Sequence, residues 1–421
     1  MKYNIVALYL VIAFLILSHI VLGGCMSFND DTPSSEFYYP CTNGRVIAAN
    51  IAQWNGSSWS AVGSGVNGTV SKIIVDSINN ELYVFGEFTI AGGISVNGQA
   101  KWDTRNQAWS AIPTIPRLNT GTSVPLPMLV IGGNIYLCIR QTDTLFNPNG
   151  SQLVGVGLVR WNGIEWQMLH KFSYDYCRCG SNEPPYIVGS LGNTIYIVAK
   201  RENDTIFGQY IYTYNINSLT LTDSTAEMIR NRYSYSSFGL GSMYEFYMPF
   251  ASTSQGLYFD NGNGIYLYNT TGTSLFLPYK TEPSGILLDL AANAKYIAFK
   301  RYLSNTYIDS LIPALAIYRI NDKTLFSPTF TPQKTALIPL PNGNGYRKGW
   351  GYCILLDENI LYIGGSYNWH LGATEFNSIA AYSPETGFWS NVGGGICGEV
   401  RSIVKLQNTL YAAGTFVAAG R

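Results

Sequence analysis

An all-β fold assembled from repeated antiparallel sheets is what this sequence predicts, on three observations: a composition rich in turn and aromatic residues, many short apolar runs, and two series of aromatic anchors that recur along the chain. The 421 residues include 43 Gly, 31 Tyr and 9 Trp but only 12% charged residues. Glycine closes tight turns, and Tyr and Trp suit a pleated, half-buried strand, whereas soluble helices draw on Glu, Lys and Ala. The length allows several ordinary domains or one large repeat architecture, so the internal repeat decides.

The clearest copy of the repeat covers residues 70–109. An apolar strand at 70–75 leads through an Asn79-Asn80 turn to a second strand at 82–85. Gly86 and a loop with Gly92-Gly93 follow, then a third strand ending at Trp102, a turn, and a fourth strand opening at Trp109. The same order returns from Leu361-Tyr362-Ile363-Gly364-Gly365 to Tyr382 and Trp389. Between these copies two anchors persist. The first is a Tyr after an apolar residue in strand two: Tyr83, Tyr136, Tyr196, Tyr258, Tyr296, Tyr362 and Tyr411. The second pairs an aromatic closing strand three with a large apolar residue opening strand four. These pairs are Trp54/Trp59, Trp102/Trp109, Trp161/Trp166, Tyr214/Leu221, Tyr268/Leu275, Tyr318/Leu325 and Tyr382/Trp389. Each series has seven members, and successive members of the second lie roughly 50 to 65 residues apart, which suits a four-stranded blade of a β-propeller.

The two series are out of phase. Residues 51–54 and 59–62 form a strand-three and strand-four pair with nothing before it, and residues 400–406 and 410–413 a strand-one and strand-two pair with nothing after it. Each half would leave an open sheet edge, and joined they make one blade. The fold predicted is therefore a seven-bladed β-propeller of four-stranded antiparallel blades, closed by pairing N-terminal strands with the C-terminal half-blade. The alternative is a series that continues past residue 421.

The run Tyr382-Ser383-Pro384-Glu385-Thr386-Gly387-Phe388-Trp389 and the double glycine Gly364-Gly365 resemble the Kelch repeat, as in the central propeller of galactose-oxidase-like proteins. The Trp-Asn-Gly-x-x-Trp copies at Trp54 and Trp161 are similar to extracellular propellers of fungal cortical polarity markers. The resemblance covers nearly all of residues 45–421, by motif at both ends and by spacing alone between about 200 and 330, where the double glycine is missing.

In an antiparallel blade the connections from strand two to three, and from strand four to the next blade, emerge on one face. Here those connections are long, at residues 113–127, 141–157, 171–185, 222–249, 302–314, 327–351 and 366–377, while the opposite turns are short. Long loops on a rigid scaffold are where recognition resides. They carry Arg117, Tyr174, Tyr176, Arg178, Arg230, Arg232, Tyr233, Tyr235, Trp350, Trp369 and His370. These residue types concentrate binding energy and stack on sugar rings, although the same side chains can instead fold back to seal the channel mouth.

Lys2 followed by an apolar run at 5–17 reads as a signal peptide over residues 1–25, with an uncleaved signal anchor as the alternative. A short leader at 26–44 follows. Residues 22–25 also resemble a lipoprotein box, which would place a lipid on Cys25. A membrane is expected as partner only through that anchor or lipid. Without Cys25, six cysteines remain (Cys41, Cys138, Cys177, Cys179, Cys353 and Cys397), enough to pair, with Cys138 and Cys353 equally readable as buried small hydrophobes. Sequons at Asn55, Asn67, Asn149, Asn203 and Asn269 are N-glycosylation candidates in an exported chain. The formal net charge of zero gives no field to attract nucleic acid.

Copper-oxidase chemistry needs imidazole ligands, and only His170 and His370 lie beyond the signal region, without a Tyr-Thr-His-type cluster. The turns lack the sialidase Asp-box, and no metal set or cofactor motif is visible. The expectation is a secreted or cell-surface, non-catalytic module that binds an extracellular protein or glycan, without cofactor. A carbohydrate-active or oxidase-like enzyme and a structural wall or matrix glycoprotein are the alternatives.

Overall fold

The structure, a computed structural model, describes residues 44–112, 128–139, 144–172, 185–199, 210–223, 250–260, 264–269, 271–278, 285–303, 315–326, 328, 338–339, 346–347, 350–371 and 374–420. At 223, 260, 285–288, 300–303, 338–339, 346–347, 350–352 and 368–371 it describes the backbone alone. The signal region, most of the leader, and Asn203 lie outside the described residues.

Seven antiparallel four-stranded sheets form the propeller, each a meander in chain order except the last. Blade 1 comprises Thr69–Asp76, Glu81–Glu87, Gln99–Asp103 and Ala108–Ala111. Blade 2 comprises Met128–Ile131, Asn134–Ile139, Gly157–Trp161 and Trp166–Lys171. Blade 3 runs through Tyr186–Leu191, Thr194–Ala199, Tyr210–Asn215 and Thr220–Asp223, and blade 4 through Phe250–Thr253, Gly256–Asp260, Gly264–Asn269 and Gly272–Pro278. Blade 5 is built from Gly285–Ala292, Tyr296–Leu303, Leu315–Arg319 and Thr324–Phe326, and blade 6 from Trp350–Asp357, Ile360–Leu371, Thr374–Tyr382 and Trp389–Asn391.

Blade 7 joins distant parts of the sequence. Ile396–Leu406 and Thr409–Ala419 supply its first two strands, and Ile51–Trp54 and Trp59–Ala61 its third and fourth. The closing register sets Ile51 against Ala413, Ala52 against Ala412, Gln53 against Tyr411 and Trp54 against Leu410. The predicted closure is what the chain adopts.

Why strand two is apolar at nearly every position follows from the stacking. Neighbouring blades cover both of its faces, so the period-2 alternation sorts residues between two interfaces instead of between core and solvent. In blade 1, Leu82 and Val84 pack toward blade 7 with Ile51, Val62, Tyr411 and Ala413, while Tyr83 and Phe85 pack toward blade 2 with Ile135, Leu137 and Trp161. In blade 2, Tyr136 and Cys138 face blade 3 with Ile195 and Ile197. Comparable clusters fill the interfaces of blades 3 and 4, 4 and 5, 5 and 6, and 6 and 7. Seven interfaces for seven blades is the packing expression of a closed ring.

The strand-three and strand-four anchors face each other across the sheet. Trp54 opposes Trp59 with ring centroids 5.5 Å apart, Trp102 opposes Trp109 at 5.3 Å, Trp161 opposes Trp166 at 5.6 Å and Tyr382 opposes Trp389 at 4.9 Å. Tyr214 and Tyr318 likewise oppose Leu221 and Leu325. Blade 4 departs from the expected pair: Tyr268 opposes Thr273, and Leu275 opposes Tyr266, because a tight turn pairs Asn269 with Gly272.

The strand-four tryptophans of blades 7 and 1 also reach into the previous blade. The Trp59 indole N–H donates to the Val392 carbonyl at 2.8 Å, and that of Trp109 to the Val62 carbonyl at 3.2 Å. Gly393 and Gly63, both at φ 56°, follow those carbonyls and lie against Trp54 and Trp102. Nearer the axis, the Ile73 N–H of blade 1 donates to Ser402 Oγ of blade 7, and the Ile354 N–H of blade 6 to Asp289 Oδ2 of blade 5. The fully buried Asp76 accepts from the Gly132 and Gly133 amides at 3.2 and 2.6 Å, tying the first turns of blades 1 and 2 together.

Three sequence expectations are corrected. Residues 366–377 are a hairpin extension and not a loop, since strand two of blade 6 runs on to Leu371 and pairs Trp369 with Phe376 and His370 with Glu375. Strand two of blade 5 likewise runs into the span expected as a loop, ending at Leu303. The six cysteines do not all pair: neither Cys138 nor Cys353 forms a disulfide. Cys138 fills the interface of blades 2 and 3, where burial pushes its thiol pKa up and holds it protonated. Cys353 sits so tightly against Gly364 that a Cβ there would lie 2.8 Å from its sulfur.

Candidate functional site

The two faces of the ring are built by different chemistry. On the trimmed face every strand-one to strand-two turn is short, from Ile131–Asn134 in blade 2 to Leu406–Thr409 in blade 7. In blades 7, 1, 2 and 3 the strand-three to strand-four turn is held by an Asn or Asp that follows the anchor aromatic and caps backbone N–H groups two and three residues on, a local bond these side chains form readily. Asn55 accepts from Ser57 and Ser58, Asp103 from Arg105 and Asn106, Asn162 from Ile164 and Glu165, and Asn215 from Asn217 and Ser218. Asn269 caps Thr271 in the same way. The turns therefore explain the aromatic-Asn pairs of the repeat, including two of the sequons.

The opposite face carries the insertions, as turn lengths predicted. In blades 1 and 2 they are ordered hairpins, and blade 7 gains a paired strand from the N-terminal side of the chain. Val46–Ile47 pairs with the end of Thr409–Ala419, Ile90–Ala91 with Ile94–Ser95, and Thr144–Phe146 with Gln152–Val154. In the blade 2 hairpin Leu145 is fully buried and Leu153 half-buried against the core, while Phe146 is 62% and Val154 51% exposed. Ile47, Ile90, Ile94 and Val417 extend this apolar rim across blades 1 and 7. Exposed apolar side chains also occur on the trimmed face, at Ile78, Ile164, Leu219 and Phe388, each at the tip of a separate turn.

The blade 1 hairpin is fixed through Asn67. Its Oδ1 accepts from the Thr89 and Ile90 amides at 2.8 and 2.9 Å, its Nδ2 donates to Thr89 Oγ1 at 2.9 Å, and its own amide donates to the Ile90 carbonyl. Asn50 does the same for blade 7, donating from Nδ2 to the Val66 carbonyl and accepting from the Phe416 amide. Asn147 holds the blade 2 hairpin by accepting from the Trp166 amide at 2.6 Å. The rim is thus rigid before any partner arrives, which lowers the ordering cost of binding.

Of the residues nominated from sequence, Arg117, Tyr174, Tyr176, Arg178, Arg230, Arg232, Tyr233 and Tyr235 lie outside the described residues. Trp350, Trp369 and His370 are described by backbone alone, in strands one and two of blade 6 on the insertion side. Sequence reasoning missed Phe146, Val154, Ile90 and Ile94. The alternation of Thr144-Leu145-Phe146 and Gln152-Leu153-Val154 about an Asn-Pro-Asn-Gly turn was the signal that would have found the first two.

His170, on the outer strand of blade 2, lies edge-on to Phe172 with centroids 4.8 Å apart, and desolvation lowers its pKa. Burial raises the pKa values of Tyr83, Tyr196, Tyr258 and Tyr411, the reverse of what an activated tyrosine nucleophile needs. Tyr367 is likewise raised by burial, and its hydroxyl donates to the Ile363 carbonyl at 2.6 Å. Among the described residues no group of three His, Cys, Asp or Glu could hold a metal ion.

The fold defines the class of the protein as a seven-bladed β-propeller. No protein-family model and no curated protein matches the chain. Among solved structures it is similar to the extracellular domain of a one-component system from B. thetaiotaomicron, with a TM-score of 0.43 and 13% identity over 83% of this chain and 38% of that chain. This chain thus spans well under half the length of that protein, and so distant a likeness says nothing of what this one does.

Proposed function

We propose that the protein is a non-catalytic binding module of the cell exterior, with Kelch-like repeats, that presents its insertion face to an extracellular protein or glycan. The observation that carries the reading is the asymmetry of the ring. Among the described residues the insertions leave from one face, where the blade 1 hairpin exposes Ile90 and Ile94 on a clamped scaffold, while the blade 2 hairpin folds along its outer strand with Phe146 and Val154 exposed. A charge-poor surface with rigid apolar contacts is the composition of an interface centre. Export is supported by the signal-like residues 1–25 and the sequons. Asn55 and Asn149 are exposed, and the carboxamide oxygen of each is turned toward the hydroxyl two residues on, leaving Nδ2 outward for a glycan.

Glycan arrays and a panel of secreted proteins probed with the purified chain test this reading. Discrete binding that falls at least tenfold in the Ile90→Ser/Ile94→Ser double variant, and is unchanged in Ile164→Ser on the trimmed face, is the expected result. Bound copper with turnover of a sugar alcohol, or binding lost only through the trimmed face, contradicts it.

A further inference from the structure

Four successive blades repeat one device on their innermost strands. In blades 5, 6, 7 and 1, strand one carries a one-residue bulge at a common register, at Leu288, Tyr352, Arg401 and Ser71. The residue after the bulge is in turn Asp289, Cys353, Ser402 and Lys72. Each stands opposite strand two, three places beyond the residue that faces the strand-three anchor aromatic. At two boundaries this residue supplies an oxygen to the innermost strand of the next blade: Asp289 Oδ2 accepts from the Ile354 amide at 2.9 Å, and Ser402 Oγ from the Ile73 amide at 3.1 Å. Blade 1 breaks the rule. Its residue is Lys72, and the amide on blade 2 in the register of Ile73 and Ile354 is that of Met128. An ammonium and an amide N–H only donate, so neither can serve the other.

We infer that this place, on the inner wall of the ring between blades 1 and 2, binds the carboxylate of an acidic sugar such as a uronic acid. The Lys72 ammonium supplies the charge and the Met128 amide the directed hydrogen bond. Asp289 shows that the chemistry fits the register, since there a carboxylate oxygen sits against an inner-strand amide. Lys72 is exposed and makes no ion pair among the described residues, whereas Arg401, at the bulge of blade 7, is neutralised by Glu399 at 2.9 Å. The unopposed cation is thus on blade 1. Thr69 and Ser71, half-buried on the same strand toward the insertion face, add hydroxyls that suit a polyhydroxylated ligand better than an acidic side chain. A repeat that gives up an interblade bond kept by its neighbours departs from its packing rule, as functional positions do.

The inference rests on the glycan form of the proposed binding function, and the experiment separates the two. The full chain, made with isotope-labelled methionine, is titrated with sodium glucuronate and with glucose while the Met128 amide resonance is followed by NMR, assigned by its loss in Met128→Leu. A saturable shift with glucuronate and none with glucose is expected. Lys72→Arg should keep the glucuronate affinity within threefold. Lys72→Ser should lower it at least tenfold and raise the melting temperature of the free protein, because a hydroxyl at residue 72 reproduces the bond that Ser402 makes. An unmoved Met128 resonance, or equal affinity in Lys72→Ser, overturns the inference. It does so without touching the wider reading if binding on the arrays still falls in Ile90→Ser/Ile94→Ser, and a chain with neither response fails both.

Discussion

Replacing Ile51 by Asp removes the cooperative unfolding transition of the protein, while the same change at Ile47, four residues earlier, leaves the melting temperature within a degree or two. Ile51 is fully buried between blades 7 and 1, packed with Val62, Val70, Leu82 and Tyr411. A carboxylate there has no cation opposite it, and an uncompensated buried charge costs on the order of 3–5 kcal/mol, a large share of the ~5–15 kcal/mol that holds a typical domain folded. The loss is amplified because Ile51 belongs to the strand that closes the ring. Ile47 is 66% exposed, so its substitution reports the bare effect of an added charge. Differential scanning calorimetry of the two variants separates the positions.

The second large effect is expected at Gly393. An added Cβ would lie 2.2 Å from the Trp54 ring, at a backbone φ of 56°. The left-handed conformation costs about 1–2 kcal/mol for an L-residue and the overlap about 1–3 kcal/mol more, so Gly393→Ala should destabilise by about 2–5 kcal/mol in urea. Gly63 occupies the same place one blade on, with contacts of 2.9 Å to Trp102, and its Ala variant should cost somewhat less. Gly56 also has positive φ but nothing within 4 Å, so Gly56→Ala should cost the backbone part alone, about 1–2 kcal/mol. The ordering Gly393, Gly63, Gly56 tests whether indole-on-glycine contacts carry stability from blade to blade.

The blade count and closure were legible because they rest on side chains that every blade needs for the same reason. Tyr in strand two fills an interface between blades, and the aromatic pair across strands three and four covers its outer edge. Local deviations were not legible. The tight turn that pairs Asn269 with Gly272 sets Tyr268 opposite Thr273, and the run from Asn269 to Ser274 holds turn residues enough for that turn or a longer one. The extension of blade 6 through residues 366–377 reads as polar loop, because beyond the ring neither face of a hairpin need be apolar. Cys138 and Cys353 could be read as bridge halves or as small core residues until their neighbours were known.

The proposed binding face is read from the sequence by location, through turn length, and less so by residue. Tyr, Trp and Arg in long connections were nominated for their type. The exposed rim that the described residues show is made instead of Ile, Val and Phe from short hairpins, and such runs look in sequence like ordinary core strands. What distinguishes Phe146 from a core phenylalanine is that no neighbouring blade stacks over the hairpin carrying it, a property of the assembled ring.

The ring itself is most directly tested by separating its closing strands from the rest. A chain beginning at residue 63 lacks strands three and four of blade 7, leaving the edge of Thr409–Ala413 unpaired and the interfaces with blades 1 and 6 incomplete. Near-UV circular dichroism of that fragment is followed during titration with a peptide of residues 44–62. Little fixed tertiary signal from the fragment alone, and its recovery to the intact protein's spectrum at one equivalent of peptide, is the result a seven-bladed ring closed by Ile51–Trp54 and Trp59–Ala61 predicts. A fragment that shows the full spectrum and a cooperative transition without the peptide contradicts it.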